Sequence, residues 1–197
     1  MNITTKTFLL LLLGLLLFSN PFYAQENNSG AFGAPVVKFS SLAGKDAVFT
    51  GGRFGWIINK SIVLGGGFYS LVNSVKTGQV DPVSGQDVRL GLNCGGLEFE
   101  YIFFPESKFR ASVEMFFAGG GVTFSVPDKS VAHTSYYSDD LLLWEPQVNV
   151  EYEIVDWLHI GTGVSYRIIT GFDAANGIYR DDLKGLSALI TFKFGRY

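Results

Sequence analysis

Ten side chains in this sequence are typed and spaced for ionic chemistry: Glu98, Glu100, Glu114, Glu145, Glu151 and Glu153 against Arg53, Arg110, Arg167 and Lys193. Lys38 joins them if the first apolar segment keeps the same sense. Each occupies the polar phase of a segment whose alternate positions are large and apolar. Six acids against four or five bases is nearly balanced, as a dry interior demands, because an unpaired buried charge is costly. The set therefore reads as a plug of ion pairs; proton or ion conduction would need water and a wider girth.

Other reactive groups are sparser. His133, Thr134 and Ser135 place an imidazole and a hydroxyl two residues apart, and Glu145 could orient the histidine for nucleophilic chemistry. They lie in a stretch crowded with Ser, Thr, Tyr and Asp, so a solvated loop is the plainer reading. His159 has no second ligand at metal-binding spacing and is expected to cap an interior. Asp139-Asp140 and Asp181-Asp182 are not framed by a calcium loop. The glycine triplets Gly65 to Gly67 and Gly119 to Gly121 lack the Lys-Ser/Thr ending of a phosphate loop, so close strand packing or a bulge explains them better. After the second triplet the apolar phase moves to Val122 and Phe124, the pattern a bulge produces. No metal or cofactor is expected.

The elements that must position these charges are strands. In WEPQVNVEYEI, residues 144–154, Trp144, Pro146, Val148, Val150, Tyr152 and Ile154 alternate with Glu145, Gln147, Asn149, Glu151 and Glu153. With Leu142 the apolar phase runs about 40 Å of strand at ~3.3 Å per residue, which tilted by about 40° rises about 30 Å. Eight such segments follow one another, at 31–40, 47–58, 62–73, 90–104, 109–125, 141–154, 158–170 and 186–194. Glycines recur through all of them, which disfavours helices. Turns at 59–61, 105–108 and 155–157 are tight. A somewhat longer link surrounds Ala43-Gly44-Lys45, and the stretches near 74–89, 126–140 and 171–185 are long and polar. Short and long connections alternate, so each kind occupies one rim. A shared apolar-Gly-x-Gly-apolar pattern at 64–68 and 160–164 is a weak internal similarity.

The N-terminus opens with Lys6 and an apolar run from Phe8 to Phe18, too short to span a bilayer as a helix, which needs about 20 residues. Residues 1–24 are expected to be a removed secretory signal, with a retained anchor as the alternative. Residues 25–30 are a short polar leader, and 31–197 form one domain. Removing Lys6 and no acid leaves 14 basic and 18 acidic residues, a charge of −4. There is no basic stripe for nucleic acid. Cys94 is the only cysteine, so no disulfide forms within the chain.

Alternation alone is compatible with an apolar face inside a soluble, lipocalin-like barrel. The polar phases, however, mix glycine with charges of both signs, which suits a cramped interior. Aromatics gather toward the tight-turn rim: Trp56, Tyr101, Phe103, Phe109, Tyr152, Trp157, Phe192 and Phe194. Trp144 and Tyr166 supply an opposite girdle. Such belts mark membrane interfaces. The last segment, LSALITFKFGRY, resembles the C-terminal assembly signal of outer-membrane barrels. Tyr197 is out of step with Phe192 and Phe194, so either Gly195 sits in a bulge or the last three residues are a tail.

These patterns resemble the small eight-stranded barrels of bacterial outer membranes, such as the outer membrane protein A barrel domain. The resemblance implies a closed, all-β, antiparallel up-and-down transmembrane barrel with long loops outside. Its partners would be outer-membrane lipid, the barrel-assembly machinery and an unidentified surface partner. The expected role is non-catalytic, in envelope structure or surface interaction. The His-x-Ser spacing at 133–135 resembles that of outer-membrane lipid A deacylases, in which serine attacks an ester with histidine as base. That resemblance would make Ser135 the nucleophile, but in that family the pair lies on a membrane-embedded strand. A lipid-modifying enzyme and a narrow channel are thus the alternatives.

Overall fold

The computed structural model describes residues 29–82, 84–126, 134–172, 174–175 and 177–196. The expected signal segment, His133 and Tyr197 lie outside the described residues. The strands are β1 (Gly30–Leu42), β2 (Lys45–Ile58), β3 (Ile62–Leu71), β4 (Val75–Val80), β5 (Asp87–Phe103), β6 (Phe109–Val126), β7 (Thr134–Val155) and β8 (Leu158–Thr170). Then come β9 (Ala174–Ala175), β10 (Ile178–Tyr179), a helical turn α1 (Arg180–Leu183) and β11 (Gly185–Arg196). Neighbours pair antiparallel in the order β3-β2-β1-β11-β8-β7-β6-β5-β4, and β3 also pairs with β5. That last pairing closes an eight-stranded barrel, with β4 added only to the upper end of β5.

Alternation sets the faces throughout. On β1 the residues Phe32, Ala34, Val36 and Lys38 are buried, while Phe39 faces out; on β3 Val63 and Tyr69 are buried, while Leu64 and Phe68 face out. Thus Lys38 points inward with the other bases.

The connections differ from the sequence reading in several ways. The link around Ala43-Gly44-Lys45 is a two-residue turn, with Ala43 at φ 50° and Gly44 at φ 70°. Two successive left-handed residues match the twist of the flanking strands, so this rim also carries a tight hairpin. The stretch 74–89 contains β4, and β7 begins at Thr134, seven residues before the expected start at 141. Loop-like polar composition concealed these extensions. The stretch 171–185 holds α1, a helix where none was expected.

No bulge sits at Gly119 to Gly121. These residues pair in unbroken register with Gly95, Cys94 and Asn93 of β5. Val122 and Phe124 stay on the inward face that Glu114 and Phe116 already occupy. The change is in what lines the interior. Nor does Gly195 sit in a bulge or a tail: Phe194, Gly195 and Arg196 pair in constant register with Gly33, Phe32 and Ala31. A Cβ on Gly195 would collide with the Ala31 carbonyl and Phe32, so glycine permits the close approach.

The interior has two storeys. Toward the tight-turn rim it is charged. Toward the other rim an apolar cluster includes Leu42, Phe49, Leu90, Leu92, Val122, Phe124, Leu141, Leu143 and Ile169. Phe172, Ile178 and Leu183 of the last long connection close over it. Below the charges a smaller cluster, Phe32, Ala34, Ile57, Val63 and Ile102, lines β1, β2, β3 and β5.

Candidate functional site

The charged storey centres on Arg53. Its Nε lies 2.8 Å from Glu98, its Nη2 2.9 Å from Glu100 and its Nη1 2.8 Å from Glu114, so one guanidinium meets three carboxylates from β5 and β6. The planar fork of arginine suits this convergence; a lysine is a single point charge. Lys193 of β11 reaches across to Glu100 at 3.1 Å and pairs with Glu151. The Ser112 hydroxyl donates to Glu100 at 2.6 Å, and the Gln147 amide donates to Glu114 at 2.8 Å. The Tyr69 hydroxyl donates to Glu98 at 3.1 Å.

Higher up, Lys38 pairs with Glu145 at 2.8 Å and sits 3.8 Å from the Tyr69 ring centroid. Ser165 donates to the same carboxylate. At the tight-turn rim Arg110 pairs with Glu153 at 2.8 Å, and His159 Nε2 lies 3.5 Å from Glu153. Glu153 is the partly exposed member, with 22% of its side chain accessible.

Arg167 is separate from this set. Its Nε donates to the Leu183 carbonyl at 2.7 Å, its Nη2 to the Ser41 carbonyl at 3.1 Å, and its guanidinium lies 5.0 Å from the Phe49 ring centroid. It fastens the last long connection onto the barrel mouth. Sequence reasoning placed it with the ion pairs because a residue's phase reports its face but not its height or partner.

Glycines make room for the network. A Cβ on Gly67 would strike the Glu98 carboxylate, and one on Gly163 would strike the Asn149 amide. Interior glycines of the triplet and of the Gly-x-Gly pattern thus leave space for long polar side chains opposite them.

Outside, the ten girdle aromatics, Trp56, Tyr101, Phe103, Phe109, Trp144, Tyr152, Trp157, Tyr166, Phe192 and Phe194, are 40–60% exposed. Between them Val113, Val148, Val164 and Ile190 also face out. On β5 the apolar outer phase runs from Phe103 up to Gly95, and Asn93 follows, hydrogen-bonded by Ser70. The ten residue steps from Phe103 to the polar Asn93, at ~3.3 Å each and tilted by about 40°, bound this phase within a rise of about 25 Å. A membrane barrel's apolar band has that height.

Solved structures similar over nearly their whole length include three small barrels. Neisserial surface protein A superposes with a TM-score of 0.58 at 10% identity, covering 85% of this chain and 96% of that one. The N-terminal β-barrel domain of Pseudomonas aeruginosa OprF gives 0.54 at 12% identity, covering 86% and 98%. Ail, the attachment invasion locus protein of Yersinia pestis, solved with the heparin analogue sucrose octasulfate, gives 0.51 at 11%, covering 85% and 97%. The chain has the fold of the small eight-stranded outer-membrane barrels. No protein-family model matches the sequence, and no curated protein matches it by sequence.

Those of the other candidates that are described lie at the long-loop end of the barrel. Thr134 and Ser135 belong to the upper end of β7, where Ser135 pairs with Ser125 of β6. Asp182 accepts a hydrogen bond from the Tyr179 backbone N–H at 2.8 Å, capping α1, and Asp181 pairs with Lys184 at 2.7 Å. The Lys184 hydrogen bond holds the Asp181 carboxyl below its usual pKa. Likewise the hydrogen bond from Lys76 holds Asp87 low. Among the described residues no group of three His, Cys, Asp or Glu side chains is arranged to hold a metal.

Proposed function

We propose that the protein is an integral β-barrel of a bacterial outer membrane, non-catalytic and non-conducting, acting in envelope structure or surface interaction through the hairpins that extend beyond its long-loop rim. The observation that carries the membrane reading is the outer wall: a continuous belt of exposed apolar side chains about 25 Å tall, bounded by aromatics. A soluble protein rarely exposes so large an apolar surface. The carboxylates inside are paired with Arg53, Lys38, Lys193 and Arg110, and an apolar cluster fills the interior above them, which supports a closed interior.

Lipid would cover the belt, and the barrel-assembly machinery would read the alternating aromatic end of β11. The decisive experiment is membrane fractionation followed by electrophoresis with and without boiling. A folded barrel recovered in the outer-membrane fraction should change mobility on boiling. Recovery in the soluble fraction would favour the lipocalin-like alternative. Planar-bilayer conductance above background would revive the channel, and lipid A mass spectra that change with the protein but not with Ser135→Ala would revive the deacylase.

A further inference from the structure

The outer wall is not evenly clad. A groove of about 600 Å³ crosses it obliquely, lined by Tyr101, Val113, Pro146, Val148, Val164 and Leu186 among others. Tyr101, Val113, Val148 and Val164 stand opposite one another on β5, β6, β7 and β8, so the groove follows a line of strand pairing. One flank is a ridge holding Phe117 and Trp144, ring centroids 6.4 Å apart; the other holds Phe109 and Tyr152, 6.5 Å apart. Four strand spacings of ~4.8 Å, from Tyr101 to Leu186, make it about 19 Å long.

We infer that this groove holds one acyl chain of a resident phospholipid from the leaflet at the tight-turn rim. The inference rests on the membrane reading above. At ~30 Å³ for a group the size of a water molecule, the groove admits about 20 such groups, the bulk of a long acyl chain. A chain crossing one leaflet spans about 15 Å, half the hydrocarbon core, and fits the groove when laid obliquely. The tight-turn end supplies charge for the headgroup. Lys60 and Lys108 lie in the two turns beside Ile62 and Tyr101; Glu106 is 3.0 Å from Lys60, and Glu153, whose backbone N–H donates to the Lys108 carbonyl, is paired with Arg110. Three cations against two carboxylates leave a positive balance that favours an anionic phosphate there.

The test is native mass spectrometry, with phospholipid extraction, of the full-length protein purified in mild detergent without added lipid. Wild type and the control Phe54→Trp, whose site faces outward on β2 away from the groove, should each retain a stoichiometric phospholipid. Val148→Trp, which fills the groove floor, should lose it. A Lys60→Ala, Lys108→Ala double variant should retain about tenfold less. All four should keep the boiling-dependent mobility shift. Lipid-free wild type that still shows the shift, or Val148→Trp that retains as much lipid, would overturn the groove assignment and leave the barrel intact. Loss of the shift in wild type would instead remove the membrane reading beneath it.

Discussion

At the height of Glu114 and Val148 the wall has charges inside and hydrocarbon side chains outside. At the height of Phe124 and Arg89, further along the same strands, the arrangement is reversed: Phe124 is fully buried and Arg89 exposed. Strand register runs through the transition without a break on β5 and β6. The backbone therefore does not choose the polarity of either face. On the membrane reading proposed above, the surrounding medium does: within the belt, lipid would accept apolar side chains and the interior must neutralise charges in place, whereas above it water takes the charges and the interior becomes an ordinary apolar core.

That contrast can be probed from both sides, and the largest effect belongs to the charged storey. Arg53→Ala leaves Glu98, Glu100 and Glu114 without their shared cation and should destabilise the barrel by roughly 3–5 kcal/mol, read as a lowered urea midpoint in micelles. Arg110→Ala, whose partner Glu153 reaches solvent, should cost clearly less. Equal midpoints for Arg53→Ala and wild type would show that the storey is not a sealed network.

In the upper storey Phe124→Ala should cost about 3–5 kcal/mol by leaving a cavity in a packed core, whereas Phe117→Ala, outward-facing in the belt, should cost far less. A charge on the outer face sharpens the contrast. Val148→Lys at belt height should cost about 2–4 kcal/mol, while Thr123→Lys, outward-facing above the belt, should lie within about 0.5 kcal/mol of wild type. Similar penalties at the two positions would contradict a change of medium between them.

The smallest effect is electrostatic. Asp87 and Asp181 have carboxyl pKa values lowered in the folded protein, so each adds stability above its unfolded pKa and loses it as pH falls through the folded one. Asp181 is exposed and Asp87 half-exposed. Asp87→Asn and Asp181→Asn should leave the pH dependence of the midpoint nearly unchanged, as surface pairs generally do.

The fold was legible because period-two alternation reports a face whatever lies against it. Residues 142–154 reveal a strand long enough for a membrane wall before any partner is known. The upper storey was not legible for a related reason. Val122 and Phe124 read as a phase shift only if one medium is assumed along the whole strand, and an interior that passes from charged to apolar mimics a bulge. The extension of β7 back to Thr134 was hidden by loop-like composition, since Ser, Tyr and Asp crowd residues 134–140 without apolar alternation.

The charged residues were legible as a set but not as pairs. Nothing in the sequence says that Lys193 meets Glu100 and Glu151 across the barrel, because that depends on strand stagger. Arg167 shows the limit most clearly. It shares the phase of the other charges, yet it holds the carbonyls of Leu183 and Ser41 because it sits where the charged storey gives way to the apolar one.

The most direct test of the change of medium is collision accessibility of single nitroxide labels in bilayer-reconstituted protein. Labels at Val148 and Val150 should meet lipid-soluble oxygen and be shielded from a water-soluble nickel complex, while a label at Thr123 should show the opposite preference. Oxygen reaching labels at Gln147 and Asn149 in preference to Val148 and Val150, or a nickel signal at all three outward sites, would contradict it.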